Sequence, residues 1–385
     1  MKNLKLSCLG FGIAATLLSA CSSGNQSTTT VSGLNPAAFD STINGKKTAL
    51  YTLKNNNGME VCITNFGGRV VSLVVPDKNG QPTDVVLGYD NIAQYADIKS
   101  SPSDYGSSVG RYANRLNQGK ITVAGKEYQL PQNNFGHCLH GGPQGWQYKV
   151  YTAVEADDSH LKLELVSPDG DMNFPGNVTA YVTYTLTEEN AIDIRYEATT
   201  DKTTVINMTN HSYFNLSGDD SPQITDELLY INSSNITPID NTCMTSGEFM
   251  PVEGTAFDFR QPKLIGQDID ADEEQIRNGN GYDHNWVLDT NCDDTVPAVI
   301  LESPATGIVL TVYTNEPGIQ VYTGNFLDGS AVGKNGVTYN FRSAICLESQ
   351  KYPDTPNKPQ WPSAVLNPGE QYYSHQVFAF STNNN

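Results

Sequence analysis

Val178-Thr-Ala-Tyr-Val-Thr-Tyr-Thr-Leu186 alternates apolar and polar side chains, and Ile192-Asp-Ile-Arg-Tyr-Glu-Ala-Thr199 does the same after the step Glu188-Glu-Asn190. A period of two puts every second side chain on one face, so each run reads as a half-buried strand and the step between them as a hairpin turn. The pattern recurs at 59–65, 69–76, 120–123, 128–130, 148–155, 161–166, 298–302, 308–314 and 376–380. Further turn signals stand at Ala124-Gly-Lys126, Asp157-Asp-Ser159 and Ala305-Thr-Gly307. Helical periodicity is confined to a short acidic stretch at 268–277 and a weaker one at 91–98, so strand-to-helix alternation is absent. These features predict an all-β chain, a large antiparallel β-sandwich whose two sheets bury one extended core. No fixed repeat and no Pro-rich linker after Gly33 divide it, so one domain is expected despite its 385 residues.

The N-terminus sets an expected location. Lys2 and Lys5 precede an apolar run from Leu6 to Leu18 that is too short for a permanent membrane span and reads as a secretory signal. Its end, Leu18-Ser-Ala-Cys21, resembles the cleavage site of bacterial lipoproteins, where the cysteine is acylated. The expected division is a signal peptide at 1–20, the lipidated Cys21 with a tether at 21–44, and one folded domain at 45–385. That places the protein in the bacterial cell envelope, lipid-anchored and facing the periplasm. Ser22 and Ser23 carry no acidic retention signal, which favours the outer membrane.

Charge and cysteine content narrow the partners. With 23 basic and 42 acidic residues the net charge is −19, which repels nucleic acid and anionic lipid and leaves a lipid chain as the expected membrane contact. Of seven cysteines, Cys8 and Cys21 fall in the N-terminal segment, and the odd remainder with no CxxC pairing argues against a disulfide framework. The segment Gly329-Ser-Ala-Val-Gly-Lys334 is one residue short of a phosphate loop and lacks its Ser or Thr.

Chemistry gathers in polar clusters between the strands. Asn207-Met-Thr-Asn-His-Ser-Tyr-Phe-Asn-Leu-Ser-Gly218 sets His211 among three asparagines where a β-branched run gives way to turn residues, a position suited to proton transfer. Gly110-Arg-Tyr-Ala-Asn-Arg115 and Leu139-His-Gly-Gly142 supply guanidinium, amide and imidazole groups, with two glycines that would let a ligand approach backbone. Gly281-Tyr-Asp-His-Asn-Trp286 adds a carboxylate, a histidine and an aromatic face; Gly318-Ile-Gln-Val-Tyr-Thr-Gly-Asn325 adds an amide; Ile345-Cys-Leu-Glu-Ser-Gln350 puts Glu348 at the end of an apolar strand. Directional polar groups beside aromatic rings suit a sugar, whose hydroxyls want donors and acceptors while its C–H face stacks.

These six motifs, in their order along the chain, resemble the aldose 1-epimerase (galactose mutarotase) family from about Gly45 to the C-terminus, including Leu347-Glu-Ser-Gln-Lys-Tyr-Pro-Asp354. The resemblance implies a β-sandwich of the galactose mutarotase type and interconversion of the α and β anomers of free aldoses such as glucose and galactose. It places the general base on Glu348 and the general acid on His211, with Asn114, Arg115, His140, Asp283 and Gln320 positioning the monosaccharide. It implies neither metal nor cofactor. Ser349 follows the glutamate where many members carry threonine, and 268–280 reads as an altered insertion.

The residue types suit that chemistry. Anomers interconvert when the C1 hydroxyl loses a proton and the ring oxygen gains one, which needs one base and one acid facing each other across the ring. A neighbouring carboxylate, Asp283, is expected to keep the imidazolium of His211 populated. Other readings stand beside this one: a glycoside hydrolase using Asp283 and Glu348, a carbohydrate-binding module without turnover, a zinc site from His140, His211 and the carboxylates, and a sugar-phosphate epimerase if Arg69 or Arg111 faces the cleft. The sequence sets no oligomeric state, monomer or dimer.

Overall fold

A computed structural model describes residues 29–383, so the predicted signal and Cys21 lie outside the described residues. The hairpin of Val178–Leu186 and Ala191–Thr200 sits within a nine-stranded sheet. Its order across is Thr152–Ala156, His160–Ser167, Val178–Leu186, Ala191–Thr200, Tyr372–Thr382, Ile308–Thr314, Val299–Glu302, Leu228–Ile231 and Lys263–Leu264. Neighbours run antiparallel throughout. Burial along Val178–Leu186 alternates strictly, so Val178, Ala180, Val182, Tyr184 and Leu186 form its inner face.

Two smaller sheets complete the sandwich. The six-stranded one runs Tyr213–Phe214, Ile345–Gln350, Gly318–Tyr322, Asp283–Leu288, Ser233–Thr237 and Met250–Pro251; the four-stranded one runs Leu50–Lys54, Glu60–Thr64, Arg69–Pro76 and Pro82–Asp84. One apolar cluster joins all three sheets through Ile63, Val182, Ile194, Trp286, Val321 and Leu347. Each such side chain contributes about 1.5–3 kcal/mol by leaving water. Phe214 meets Phe378 of the large sheet edge-on, their ring centres 4.9 Å apart.

Several elements differ from the sequence expectation. Gly318–Tyr322 and Ile345–Gln350 are buried at every position, so their polar side chains face an enclosed site and not open solvent, and Glu348 lies inside its strand instead of at its end. The run at 148–155 begins as a 3-10 turn, Trp146–Tyr148, and becomes strand only at Thr152. The acidic helix starts at Glu274, because Asp270 is held by Arg342 at 2.8 Å and the chain before it turns. The helix Ile92–Ala96 forms with Asn91 capping the Gln94 amide at 3.1 Å.

The folded body also begins earlier than 45. Leu34 and Phe39 are buried with Tyr89 and Tyr95 in a second apolar cluster, and the Val31 amide donates to Glu60 Oε1 at 2.6 Å. Two apolar anchors are enough to dock this otherwise polar segment, so residues 34–44 do not act as a tether. Cys62, Cys138, Cys243, Cys292 and Cys346 are free thiols.

Lys334 closes the phosphate-loop question. Only 1 % of its side chain is exposed; it donates to Asp84 at 2.5 Å and to the Val86 carbonyl at 2.8 Å, with Asp219 at 3.4 Å. Burial pushes the Asp219 carboxyl up to about 6 against the pull of this ammonium. Lys334→Ala should therefore strand two carboxylates and cost about 3–5 kcal/mol, read by urea unfolding; a loss under about 1 kcal/mol would show that the pair carries no weight.

Candidate active site

Strand register assembles the site. In the six-stranded sheet Tyr213 pairs with Cys346 and Phe214 with Ile345; continuing that antiparallel register two residues back places His211 opposite Glu348. The observed contact agrees, with His211 Nε2 3.4 Å from Glu348 Oε1. His211 is held from its other side by Thr209–His211 pairing with Ser107–Val109 and is the last residue of that strand, as expected. Gln320 lies directly across from Glu348, and Asp283 is reached diagonally, its Oδ1 accepting from Gln320 Nε2 at 2.7 Å.

A second, smaller unit faces this row. Arg115 pairs with Leu139 in a short ladder, which brings His140 against Asn114. The two clamp each other: the His140 amide donates to the Asn114 carbonyl, and the Asn114 amide donates to His140 Nδ1, both at 3.1 Å. Because Nδ1 accepts, the ring proton lies on Nε2 and His140 is a neutral donor. Burial agrees, pushing its pKa down to about 3. Asn114 and His140 have φ of 66° and 51°, left-handed conformations that the clamp sustains. Arg115 Nε donates to Asn134 at 3.1 Å.

All seven residues singled out by sequence, Asn114, Arg115, His140, His211, Asp283, Gln320 and Glu348, line one cavity of about 430 Å³. That size is within the range of small-molecule sites. Pro102, Asp104, Asn134, Phe135, Leu139, Tyr213, Tyr322 and Phe326 complete the wall. The aromatic face is therefore Tyr213 and Tyr322, and Tyr213 stacks on His211 with ring centres 5.1 Å apart. Trp286 and His284 do not take part: strand alternation turns both away from Asp283, Trp286 into the main core and His284 against Phe257. Nor do the glycines after His140 admit a ligand to backbone. Gly141 abuts Gly110, whose carbonyl oxygen a Cβ would meet at 2.2 Å.

Arg69 and Arg111 are structural. Arg69 donates to the carbonyls of Ser103, Tyr105 and Gln147, and Arg111 to those of Pro175, Ser167 and Pro168 and the hydroxyls of Ser167 and Thr204. Neither lines the cavity. Arg115 is its one guanidinium, beside Asp104, Asp283 and Glu348.

Asp104 carried no sequence signal, since it sits in an irregular loop whose position depends on Arg69. Asp104, His140 and His211 each offer a ligand atom within 4.8 Å of the others, a spacing that could hold a metal ion, although His140 Nδ1 is engaged by Asn114. Asp104 Oδ1, His211 Nδ1, Gln320 Oε1 and Glu348 Oε2 are buried with no protein hydrogen-bond partner among the described residues. Four unpaired polar atoms around one cavity point to a polar ligand.

Electrostatics place the pair's proton. Burial first, and then Asp283 and Asp104, raise Glu348 well above the usual carboxylate range, with Arg115 opposing. Burial lowers His211, with Asp104 and then Asp283 opposing. Asp104 thus supports the imidazolium more than Asp283, the residue expected for that role. Both shifts favour the neutral forms, a protonated Glu348 beside an unprotonated His211.

A profile of the aldose 1-epimerase family matches residues 49–379. A galactose mutarotase from Mus musculus is 41% identical over 323 residues, covering 84% of this chain and 91% of its own. An aldose 1-epimerase from Escherichia coli is 37% identical, covering 87% and 96%. Among solved structures, a galactose 1-epimerase from Lactobacillus acidophilus superposes with a TM-score of 0.78 at 29% identity, covering 89% of this chain and 97% of its own.

The raised Glu348 carries a stability signature. A folded pKa above the unfolded value means that the native state holds the proton longer, so the stabilisation is full at low pH and is lost as pH rises past about 4.3, the unfolded carboxyl value. Glu348→Gln removes that loss. Its melting temperature should exceed that of the wild type by a margin that widens from about pH 4 to about pH 8, and a constant or shrinking margin would contradict the assignment.

Proposed function

The chain belongs to the aldose 1-epimerase family and works as a mutarotase, and we propose that Glu348 and His211 are its acid–base pair. Glu348 as carboxylate takes the proton of the C1 hydroxyl while His211 as imidazolium protonates the ring oxygen. The ring opens to the aldehyde, the C1–C2 bond rotates, and reclosure returns both protons. The observation that supports this reading is the 3.4 Å approach of His211 Nε2 to Glu348 Oε1 inside a polar cavity, which sets acid and base side by side instead of across the ring, as suits a C1 hydroxyl and a ring oxygen bonded to the same carbon. The bound sugar supplies the missing proton placement: its hydroxyls donate to Glu348, favour the carboxylate, and shift the shared proton toward His211. Arg115, the Nε2–H of His140, Asp283, Gln320 and Asn114 bind hydroxyls, and Arg115 steadies charge as it develops at C1.

Free aldoses such as galactose and glucose are the proposed substrates. A phosphorylated sugar would set a dianion among Asp104, Asp283 and Glu348 with a single guanidinium to meet it. Hydrolysis needs two carboxyl groups flanking a glycosidic bond. Here Asp283 and Glu348 project from one sheet with Gln320 between them. For location, the sequence from Lys2 to Cys21 supports a lipid anchor with the domain facing the periplasm from the outer membrane.

Polarimetry of freshly dissolved α-D-glucose and α-D-galactose tests the reaction. The protein should hasten relaxation to the same final rotation, and Glu348→Gln and His211→Asn should each lower kcat by about 10²-fold or more with the fold intact. If neither sugar responds, the free-hexose assignment fails. The kcat/KM profile should be bell-shaped, because activity needs one proton on the pair: it falls at low pH when both groups are protonated and at high pH when neither is. Chelation with EDTA should leave the rate unchanged, since acid and base are both side chains; a loss restored by zinc would assign a metal to Asp104, His140 and His211. Cys21→Ser should move the protein from the membrane fraction to the soluble one, and an unchanged distribution would remove the lipid anchor.

A further inference from the structure

The turn Asn134-Phe-Gly-His137 breaks a local rule at the mouth of the catalytic cavity. Its two central residues, Phe135 and Gly136, have φ of 48° and 82°. Asn134 and His137 close it, the His137 amide donating to the Asn134 carbonyl at 2.8 Å and the Asn134 amide to the His137 carbonyl at 3.2 Å. Positive φ at both central positions is the type I′ pattern, which favours Asn-Gly because a Cβ crowds the backbone there. Phenylalanine has no side-chain hydrogen bond to offset that crowding, and a bulky residue in this conformation calls for a reason outside the turn.

The hydrophobic core does not supply one. Phe135 is 55% exposed and belongs to none of the three apolar clusters. It lines the catalytic cavity beside Asn134, Leu139 and His140. Three hydrogen bonds fix its flanks there: Arg115 Nε donates to Asn134 Oδ1 at 3.1 Å, the Leu139 amide to Asn133 Oδ1 at 2.8 Å, and the Gln118 amide to His137 Nδ1 at 3.0 Å. The ring is thus a held apolar face on the unit that carries Arg115 and His140, while Tyr213 and Tyr322 stand on the sheet opposite.

We propose that Phe135 is a substrate-binding residue whose ring stacks on the C–H face of the aldopyranose reacting at Glu348 and His211. The proposal rests on the mutarotase reading and deepens it. The hydroxyls of a pyranose leave near the plane of its ring, where Arg115, His140, Asp283 and Gln320 meet them, and its C–H bonds present an apolar patch that the negative face of an aromatic ring attracts. Galactose, with its axial O4, gathers the hydrogens of C3, C4 and C5 on one face, whereas glucose alternates them above and below. The stack therefore holds galactose more firmly than glucose. C3, C4 and C5 take no part in the opening at C1, so the contact is made equally before and during the reaction and acts on KM instead of kcat.

Polarimetry on the whole protein with Phe135→Ala tests this. KM for galactose should rise about tenfold and KM for glucose by less, with kcat within about twofold; Phe135→Tyr, which keeps the ring, should hold both constants within about twofold. Phe135→Gly should raise KM as alanine does without lowering the melting temperature, because glycine accepts the positive φ. An unchanged KM in Phe135→Ala overturns the proposal, and so does a rise as large for glucose as for galactose. A lower melting temperature in Phe135→Gly with kcat and KM both impaired also overturns it, since the ring is then a prop of the fold. A wild type that hastens the relaxation of neither hexose overturns the mutarotase reading itself, a result separate from these.

Discussion

Everything at the site depends on the register of the six-stranded sheet. Along its strands one face carries Phe214, Trp286, Ile319, Val321, Ile345 and Leu347 into the main core. The opposite face therefore carries Tyr213, Asp283, Gln320, Tyr322 and Glu348, all of which line the cavity. A slip of one residue would exchange the two sets, burying carboxylates in the core and exposing isoleucines to the sugar. The apolar face thus fixes the polar one. Hydrophobic packing, which has no direction of its own, becomes directional through the two-residue period of the strand.

Burial of the site then sets its chemistry. Glu348 and His211 are almost wholly out of water, at 2% and 4% exposure, and each shifts toward its neutral form. Left alone they would be an inert hydrogen-bonded pair. Asp104 supports the imidazolium while also holding Glu348 protonated, and Arg115 supports the carboxylate. Mutarotation needs a pair whose proton can move either way, since the same groups serve opening and closing. Charges of both signs in the wall act on that pair, Asp104 and Asp283 against Arg115.

Two buried cations outside the cavity hold irregular chain in place, one of them the loop that carries Asp104. Arg69 ties the backbone around Asp104 to that around Gln147, stacking over Phe66, Tyr95 and Tyr148, and Arg111 fastens the turns at 167–175. Each guanidinium satisfies backbone carbonyls that irregular chain leaves unpaired. The cavity wall at Pro102 and Asp104 owes its shape to Arg69, because that irregular loop has no long ladder to hold it.

The sequence by itself determined the all-β class, the outer strands and the seven polar residues that the cavity gathers. Half-buried strands alternate, and His211, Glu348, Arg115, His140, Asn114, Asp283 and Gln320 stand in motifs that can be read one at a time. Only the tertiary structure decided the rest. Ile319, Gln320 and Val321 alternate in polarity, but that both faces of their strand are buried, the polar one against the cavity, follows only from the fold. Trp286 and His284, adjacent to Asp283 in sequence, point the other way because neighbours on a strand face opposite sides. Asp104 and Phe326 enter the site through loops placed by distant partners, Arg69 and Tyr322, and a contact between residues far apart in the chain leaves no local pattern.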